Sequence, residues 1–396
     1  MKFSILFALI GLLVSVALDG YLLRRLMITL RTLRRPLAIA YLGVTLIEYA
    51  SMITAIAIPV ANASDGVFLV LMWLIFIFLS IFCSKLVLVI ADLVARLYRK
   101  IRRKPSAGIS KITVAISCVV FLALWWGALI NRSRISVVEC ELSYSDLPIG
   151  FDGYKIVQIS DFHVGTWGSD TAFVARVVDR INALNPDLIV FTGDIVNRKS
   201  EELEPMISPL TRLKAKDGLY AVMGNHDYGD YVRWDSDSAH MADRQNLRHL
   251  YSMTSFHVLD NTHEFIYRGG DSIAVVGVEN IGEPPFATYG SLEAAYPDLS
   301  DSVFKLLLSH NPRHWMRDIS GHTDKNIALT LAGHTHAMQI QIAGHSPASL
   351  KYDTDWGLFT DSLGQNLYVN RGLGTVGLPM RLGATPEITL FTLSAK

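Results

Sequence analysis

The sequence is poor in cysteine, and this scarcity excludes two kinds of site. Among its 396 residues, the cysteines are Cys83, Cys118 and Cys140, and no CxxC motif occurs. The first two lie in long apolar runs, so the rest of the chain has one cysteine and cannot form a disulfide within itself. Neither a thiolate zinc site nor a dithiol redox motif is expected.

Acidic residues are scarce at the start of the chain. Residues 1–135 carry 16 Lys and Arg against 4 Asp and Glu, whereas residues 136–396 carry 20 against 32. The net charge of zero therefore conceals a basic and an acidic part, which predicts two domains that join near residue 135. The acidic part argues against nucleic acid as a partner. With 51% hydrophobic residues and a mean hydropathy of +0.31, the chain is too apolar for a single soluble domain or a disordered one.

The basic part contains four long apolar runs, at about residues 3–23, 37–60, 67–94 and 112–130. Each reaches the roughly 20 residues that cross a bilayer as a helix, so we predict a four-helix transmembrane domain over residues 1–134. Five arginines follow the first run and seven basic residues follow the third, whereas residues 61–66 contain none. The positive-inside rule then predicts a multi-pass protein of the cytoplasmic (inner) membrane, with residues 135–396 on the extracytoplasmic side. The basic residues of the two loops are Arg24, Arg25, Arg31, Arg34 and Arg35, then Arg96, Arg99, Lys100, Arg102, Arg103, Lys104 and Lys111.

One acid, Glu48, lies near the middle of the second run. Two interpretations stay open: a neutral carboxyl that hydrogen-bonds between helices, or a role toward ions or substrate. Lys85, in the third run, is the basic residue that could pair with Glu48. At 1.5 Å per residue, with the third span ending after the roughly 20 residues that a bilayer needs, Glu48 lies roughly 16 Å and Lys85 roughly 3 Å from the cytoplasmic face. We therefore expect Lys85 to extend to the membrane surface rather than to pair with Glu48.

The acidic part, residues 135–396, alternates β-rich runs with helical stretches, which predicts an α/β domain. Residues 282–297 contain three prolines and are predicted to form a long surface loop. The predicted strands are 136–141, 155–159, 188–191, 219–222, 272–278, 304–308, 328–331, 366–369 and 388–392. The predicted helices are 171–184, 206–214, 239–250 and 312–318.

Five of these strands run directly into polar motifs. Because ligand sites of α/β folds lie at the carboxyl ends of strands, we expect these motifs to meet. They contain seven oxygen and nitrogen ligands, which are too many for one tetrahedral zinc and suit two divalent ions bridged by a carboxylate. Mixed carboxylate and imidazole donors favour Mn, Fe or Zn. The seven candidates are Asp161, His163, Asp194, Asn225, His310, His334 and His336.

Two metal ions with a bridging hydroxide suit in-line attack on phosphorus, so the expected reaction is hydrolysis of a phosphoester bond. His226 and Asp227 follow Asn225 directly. A histidine held by an acid can protonate the leaving oxygen, which makes this pair the candidate catalytic residues. A metal-binding protein without turnover would not need such a proton donor.

The motifs D-x-H, GD, GNHD, H and GHTH resemble those of the calcineurin-like metallophosphoesterases over about residues 150–393. The segments 371–374, 378–381 and 386–389 are similar to a C-terminal signature of the membrane-anchored bacterial members. The resemblance implies a two-sheet β-sandwich flanked by helices. It also implies roles: Asp161, His163 and His336 hold one metal, Asp194 bridges, Asn225, His310 and His334 hold the other, His226 is the general acid, and Asp227 orients it.

The sequence departs from the family pattern at Asn197, where many relatives have Asp, and at Ala337-Met338, where many have two glycines. The short link between the fourth run and the first strand favours a lipid-linked or envelope substrate. Two alternatives stay open. One is a UDP-2,3-diacylglucosamine-type pyrophosphohydrolase of lipid A synthesis, and the other is a membrane transporter or sensor with a regulatory metal-binding domain. Arg371 and Arg381 are expected either to bind a phosphate or to form structural ion pairs.

Overall fold

The computed structural model describes residues 5–29, 34–58, 63–105, 108–283, 287–296 and 299–396. Its contacts divide the chain into two units. The first comprises Met1–Ile130 with Gly377–Met380, and the second comprises Asn131–Val376 with Arg381–Lys396.

The first unit contains four long apolar helices, which confirms their prediction. They are α1 (Ile5–Thr29), α2 (Arg34–Ala57), α3 (Asp65–Ile101) and α4 (Lys111–Leu129). All four are long and apolar enough to cross a membrane. Helix α3 has 37 residues and is therefore about 55 Å long, well beyond the hydrocarbon thickness. Positions 3, 4, 59 and 60 of the predicted runs, and Arg31, lie outside the described residues.

Lys85 is buried among carboxylates, so the expectation that it extends to the membrane surface was wrong. Its Nζ lies 2.5 Å from Oε2 of Glu48, 2.6 Å from Oδ1 of Asp19 and 3.0 Å from Oγ1 of Thr45. The expected depth placed the membrane face about two residues beyond Lys85, whereas α3 continues to Ile101, so the helix itself does not fix where that face lies. A charge in hydrocarbon is stabilised by partners of opposite sign, and two carboxylates are within reach.

A second ion pair fixes the relative direction of α1 and α3. Nε of Arg25 lies 2.8 Å from Oδ2 of Asp92, which also accepts a hydrogen bond from the Tyr21 hydroxyl. Asp19 pairs with Lys85 and, further along both helices, Arg25 pairs with Asp92. Residue numbers rise together across the two contacts, so α1 and α3 run in the same direction.

The second unit is built on two six-stranded mixed sheets. The first has the order β1-β12-β2-β3-β4-β5, and the second has the order β10-β11-β9-β8-β7-β6. The strands are β1 (Ser136–Tyr144), β2 (Tyr154–Ile159), β3 (Leu188–Phe191), β4 (Leu219–Ala221), β5 (His257–Val258), β6 (Thr262–Arg268), β7 (Asp271–Gly277), β8 (Lys305–Leu308), β9 (Ile327–Ala332), β10 (Gly357–Thr360), β11 (Asn366–Val369) and β12 (Glu387–Ala395). The helices are α5 (Ala172–Asn182), α6 (Ile207–Leu210), α7 (Asp237–Ser252) and α8 (Leu292–Ala295).

The two sheets face each other across a common core, and helices cover their outer faces. Alternate residues of β3 show the arrangement: Val190 belongs to the core between the sheets, whereas Ile189 and Phe191 pack beneath α5 and α7. The outer face of the second sheet packs against Trp315 and Ile319. Alternate side chains of β3 thus point to opposite faces, and both faces are buried. This is typical of a central strand in a layered fold. The result is the two-sheet sandwich flanked by helices that the family resemblance implied.

All nine predicted strands are present, with ends shifted by up to three residues. Three strands, β5, β6 and β10, were missed. The β6–β7 hairpin turns at Gly269-Gly270, both with positive φ, a turn signal that was available in the sequence. Two predicted helices are irregular. The segment 206–214 forms a 3₁₀ stretch, Ser200–Met206, followed by α6, and 312–318 forms a π-helical turn at Trp315–Ile319. The described part of the predicted loop 282–297 contains the short helix α8.

Candidate metal centre

The seven candidate ligands come together where five parallel strands end. Asp161 and His163 follow β2, Asp194 follows β3, and Asn225 follows β4. From the second sheet, His310 follows β8, and His334 and His336 follow β9. The carboxyl edges of both sheets therefore deliver polar side chains to one place, as the strand pattern predicted.

One set of ligand atoms lies around His163 and His336. Asp161, His163, Asp194 and His336 are all buried, and each offers one ligand atom within 4.8 Å of the others. Nε2 of His336 is 3.2 Å from Oδ1 of Asp161 and 3.1 Å from Nε2 of His163. This spacing fits one metal ion.

A second set shares Asp194 with the first. Oδ1 of Asn225 lies 2.8 Å from Nδ1 of His334 and 3.1 Å from Nε2 of His310. Nε2 of His310 lies 3.2 Å from Oδ2 of Asp194, and the same oxygen is 3.6 Å from Nε2 of His163. Asp194 is thus the residue that reaches both sets, the position of a bridging carboxylate.

The orientation of the imidazoles supports metal binding. Nδ1 of His163 lies 3.1 Å from the carbonyl oxygen of Val196, and Nδ1 of His310 lies 2.7 Å from that of Thr192. Each Nδ1 therefore donates its proton to a carbonyl, and the lone pair of Nε2 faces the cluster. Lone pairs and carboxylate oxygens at this spacing repel one another, and a divalent cation between them removes the repulsion.

The local electrostatics favour ionised carboxylates and, at His163 and His334, neutral imidazoles. Burial opposes ionisation of Asp161 and Asp194, yet neighbouring histidines hold the pKa of both carboxyls below the ordinary value. Burial lowers the pKa of His334 to about 3 and that of His163 well below its ordinary range. For His310, burial is outweighed by the charge of Asp194, which raises its pKa to about 9. Ionised carboxylates and neutral imidazoles are the forms that bind metal, so a cation bound here would displace the proton that this raised pKa places on Nε2 of His310.

The backbone at this centre is strained. Five of the seven candidates have positive φ, with values of 48° at Asp161, 43° at His163, 61° at Asp194, 75° at His334 and 51° at His336. Non-glycine residues in this region cost energy and cluster at functional sites. Two glycines give the carboxylates room, because a Cβ at Gly224 would clash with Asp194 and one at Gly333 would clash with Asp161.

The two candidate catalytic residues have different surroundings from those implied by the resemblance. Nδ1 of His226 lies 2.6 Å from the carbonyl oxygen of Asn197. The Asp227 carboxylate accepts backbone N–H bonds of 2.8–3.2 Å from Gly224 and from the three residues 194–196. If Asp227 orients His226, as the resemblance implies, it does so through the backbone. Asp227 fixes the 194–196 backbone, and the next residue, Asn197, supplies the carbonyl that orients the ring.

Sequence reasoning missed two tyrosines at the centre. The hydroxyl of Tyr231 accepts a hydrogen bond of 2.8 Å from Nδ2 of Asn225, and its ring stacks on His226 with centroids 4.3 Å apart. The hydroxyl of Tyr352 lies 3.4 Å from Nε2 of His334. Neither belongs to a motif. The position of Tyr231, four residues after Asp227 in the same loop, was the available signal.

Arg371 and Arg381 serve the structure in different ways. Nε of Arg371 lies 2.5 Å from Oε2 of Glu387, a buried ion pair. Arg381 is fully buried and donates to the carbonyls of Arg371, Gly374 and Ala384, and its Nη2 is 3.2 Å from Nδ1 of His336. Its guanidinium is therefore occupied by backbone rather than directed at a phosphate, and it secures the C-terminal segment against the centre.

The departure at Ala337-Met338 has a conformational consequence. Both residues have positive φ, 49° and 46°, the region that favours glycine. The other departure, Asn197, donates through Nδ2 to Oγ1 of Thr166 at 3.2 Å. The side-chain amide of Asn197 thus helps to hold the loop whose carbonyl meets His226.

Comparison with known proteins supports the interpretation of these motifs. A family model described as calcineurin-like phosphoesterase matches residues 154–348. The metallophosphoesterase YkuE of Bacillus subtilis is 33% identical over 271 residues, which cover 66% of this chain and 86% of YkuE.

Two further relatives are associated with membranes or lipids by name. A zebrafish protein, "transmembrane protein with metallophosphoesterase domain", is 28% identical over 73% of this chain and 64% of its own length. The UDP-2,3-diacylglucosamine pyrophosphatase LpxG of Chlamydia trachomatis is 28% identical over 72% of this chain and 97% of LpxG.

Proposed function

Because the chain belongs to the calcineurin-like phosphoesterase family and is thus a hydrolase of phosphoester bonds, we propose that it cleaves a phosphodiester or pyrophosphate in a lipid-linked or envelope substrate. The observation that carries this proposal is the pair of ligand sets that share Asp194, with His226 beside them. The four apolar helices favour a substrate from the membrane. The proposed domains are residues 1–134 in the membrane and residues 135–396 as the phosphoesterase.

The proposed cofactors are two divalent ions. Asp161, His163 and His336 would hold one, Asn225, His310 and His334 the other, and Asp194 would reach both. The donor set suits Mn, Fe or Zn. Bound there, the ions supply Lewis acidity toward the phosphate and lower the pKa of water.

His226 is the proposed general acid. Its Nδ1 donates a hydrogen bond to the Asn197 carbonyl, so Nε2 is the nitrogen that would donate a proton to the leaving oxygen. Burial lowers the pKa of His226, and an anionic substrate favours the imidazolium form that donates. Asp227 and Tyr231 hold the loop and the ring in place.

The proposed location is the cytoplasmic membrane, crossed four times, with the active site outside. Two observations support it: the basic loops after α1 and α3, and the common direction of these two helices. Protease added to intact spheroplasts should cut residues 135–396. If that part stays uncut while disruption exposes it, the orientation is reversed.

The runner-up function is cleavage of UDP-2,3-diacylglucosamine, which the similarity to LpxG favours. That substrate is nucleotide-linked, so it requires an active site that faces the cytoplasm. Release of a nucleoside monophosphate by the purified protein would select this reaction over the envelope substrate.

The experiment that tests the proposal uses the full chain in detergent. Hydrolysis of a chromogenic phosphodiester and of the matching monoester is measured with Mn²⁺ and with EDTA. We expect cleavage that EDTA abolishes and that His226→Ala and Asp194→Asn each reduce by at least about 100-fold. His249→Ala is the matched control, because His249 is exposed on α7. Full activity in Asp194→Asn would refute the mechanism.

A further inference from the structure

The membrane helices enclose a cavity that the proposed reaction does not use. Side chains of all four helices bound a space of about 900 Å³, with Val44 from α2, Leu88 from α3 and Phe121 from α4 among its apolar walls. On α4 the cavity extends from Lys111 to Leu122, and we call it the Lys111–Leu122 cleft.

The length of this cleft matches one leaflet of a bilayer. Eleven residues of α-helix rise about 16 Å, and half of a typical hydrocarbon core is about 15 Å. Lys111 is the first residue of the α4 span, so one end of the cleft lies where that span begins and the other lies near the mid-plane.

The interior of the cleft offers apolar surface rather than free polar groups. Lys85 is part of its wall, but its Nζ is already bonded to Asp19, Thr45 and Glu48. The hydroxyl of Ser117 donates to the Ser84 carbonyl at 2.7 Å. Apolar cavities exclude water, so a hydrocarbon chain is the ligand whose chemistry fits.

Basic residues lie on both sides of α4 near Lys111, at the end of the cleft where the span begins. Lys111 is exposed at the mouth. A second cavity, of about 750 Å³, is lined by Ile112, Thr113 and Ile116 of α4 and by Arg99 and Lys104. At 3.6 residues per turn, these α4 positions lie opposite those that line the first cavity. The first turn of α4 therefore stands between two apolar spaces with basic residues at their rims.

We propose that this site binds one acidic diacyl phospholipid. One acyl chain lies in the Lys111–Leu122 cleft, the other in the smaller cavity, and the phosphate lies beside Lys111. Buried methylenes supply affinity for any lipid of this shape, and each nearby basic residue favours an acidic headgroup.

The test is native mass spectrometry of the delipidated full chain in detergent. The probes are phosphatidylglycerol and phosphatidylcholine with identical acyl chains. We expect one phosphatidylglycerol adduct with at least about fivefold preference, because each basic contact is worth a factor of about five. Lys111→Gln should reduce that preference about fivefold while phosphatidylcholine still binds.

Two tryptophan variants of α4 locate the site. Cys118 lines the cleft, so Cys118→Trp should abolish the adduct. Val119 is 65% exposed and does not line the cleft, so Val119→Trp is the matched control and should bind as the wild type does. Adducts of both lipids in equal amount in wild type and Lys111→Gln, or full binding by Cys118→Trp, would overturn the proposal.

A labelling measurement avoids any bulky substitution. In a Cys83→Ala, Cys140→Ala background, Cys118 is the remaining thiol and its reaction with an apolar maleimide can be timed. Phosphatidylglycerol should slow the reaction several-fold more than phosphatidylcholine does, because the acyl chain covers the thiol. An unchanged rate with phosphatidylglycerol would contradict occupancy of the cleft.

Discussion

The hydroxyl of Tyr231 and the side-chain amide of Asn225 are joined by a hydrogen bond of 2.8 Å. The bond engages Nδ2, so Oδ1 of Asn225 faces His310 and His334, where a metal ligand is needed. The oxygen and nitrogen ends of a side-chain amide have similar shapes. A hydrogen-bond acceptor beside the nitrogen therefore fixes which end faces the histidines.

Tyr231→Phe should therefore weaken one of the two proposed metal sites. Loss of a group that orients a ligand costs about 10–100-fold in metal affinity. The ring and its stacking on His226 are retained, so the change isolates the hydroxyl. Titration of the metal-free protein with Mn²⁺, followed by calorimetry, should show one site weakened and one unchanged. Tyr220→Phe, on β4, is the control and should leave both sites unaltered.

Asp227→Asn should destabilise the phosphoesterase domain as well as slow it. The carboxylate accepts four backbone N–H groups, and an asparagine would turn its own NH₂ toward some of them. Leaving such buried donors unpaired costs about 1–3 kcal/mol, which thermal unfolding would detect. Asp179→Asn removes an exposed ion pair with Arg212 and should have almost no effect. An Asp227→Asn protein with wild-type stability and low activity would instead indicate a direct role beside His226.

Met338→Gly should stabilise the protein by about 1 kcal/mol, since glycine adopts positive φ without the penalty that a side chain carries. Met338 has φ 46° and is 45% exposed, so little packing is lost. The matched control is Met241→Gly. Met241 is also exposed but lies within α7, so glycine there should destabilise by about 1 kcal/mol. Equal signs for the two variants would show that the backbone at Met338 is not strained.

The convergence of the candidate ligands could be predicted from the sequence because each follows a buried strand within a few residues. The strand fixes where its own end lies, so Asp161 after β2 and His334 after β9 needed no knowledge of distant contacts. The partners of Lys85 and the carbonyl that orients His226 could not be predicted in this way. They depend on the rotation of α1 against α3 and on the backbone path at Asn197, and neither leaves a periodic signal in the sequence.

His314 should make the domain less stable in mild acid. It is buried, its Nδ1 lies 2.9 Å from the Ser309 hydroxyl, and burial lowers its pKa from 6.5 to about 4. The unfolded chain takes up a proton near pH 6.5 and the folded chain only near pH 4. Stability that is present above pH 6.5 is therefore lost as the pH falls through this window. At pH 5 the loss amounts to about 2 kcal/mol.

His314→Gln should lack this component. The measurement is the difference in free energy of unfolding between pH 7 and pH 5, in EDTA, for the wild type and the variant. The exposed His249, changed to Gln, provides the control and should retain the wild-type difference. Identical differences in wild type and His314→Gln would show that His314 takes up its proton equally in the folded and unfolded chains.

Lys85→Met should destabilise the membrane helices strongly, because it leaves Asp19 and Glu48 buried without their cation. Removing one partner from a buried ion pair costs about 3–5 kcal/mol. Thermal unfolding of the full chain in detergent measures the loss, with Ser84→Ala as control, since that hydroxyl donates within α3 to Ser80. Combining Lys85→Met with Asp19→Asn and Glu48→Gln removes the uncompensated charge and should recover most of the stability. A Lys85→Met protein as stable as Ser84→Ala would mean that both carboxyls are neutral in the membrane, the hydrogen-bonded form first considered for Glu48.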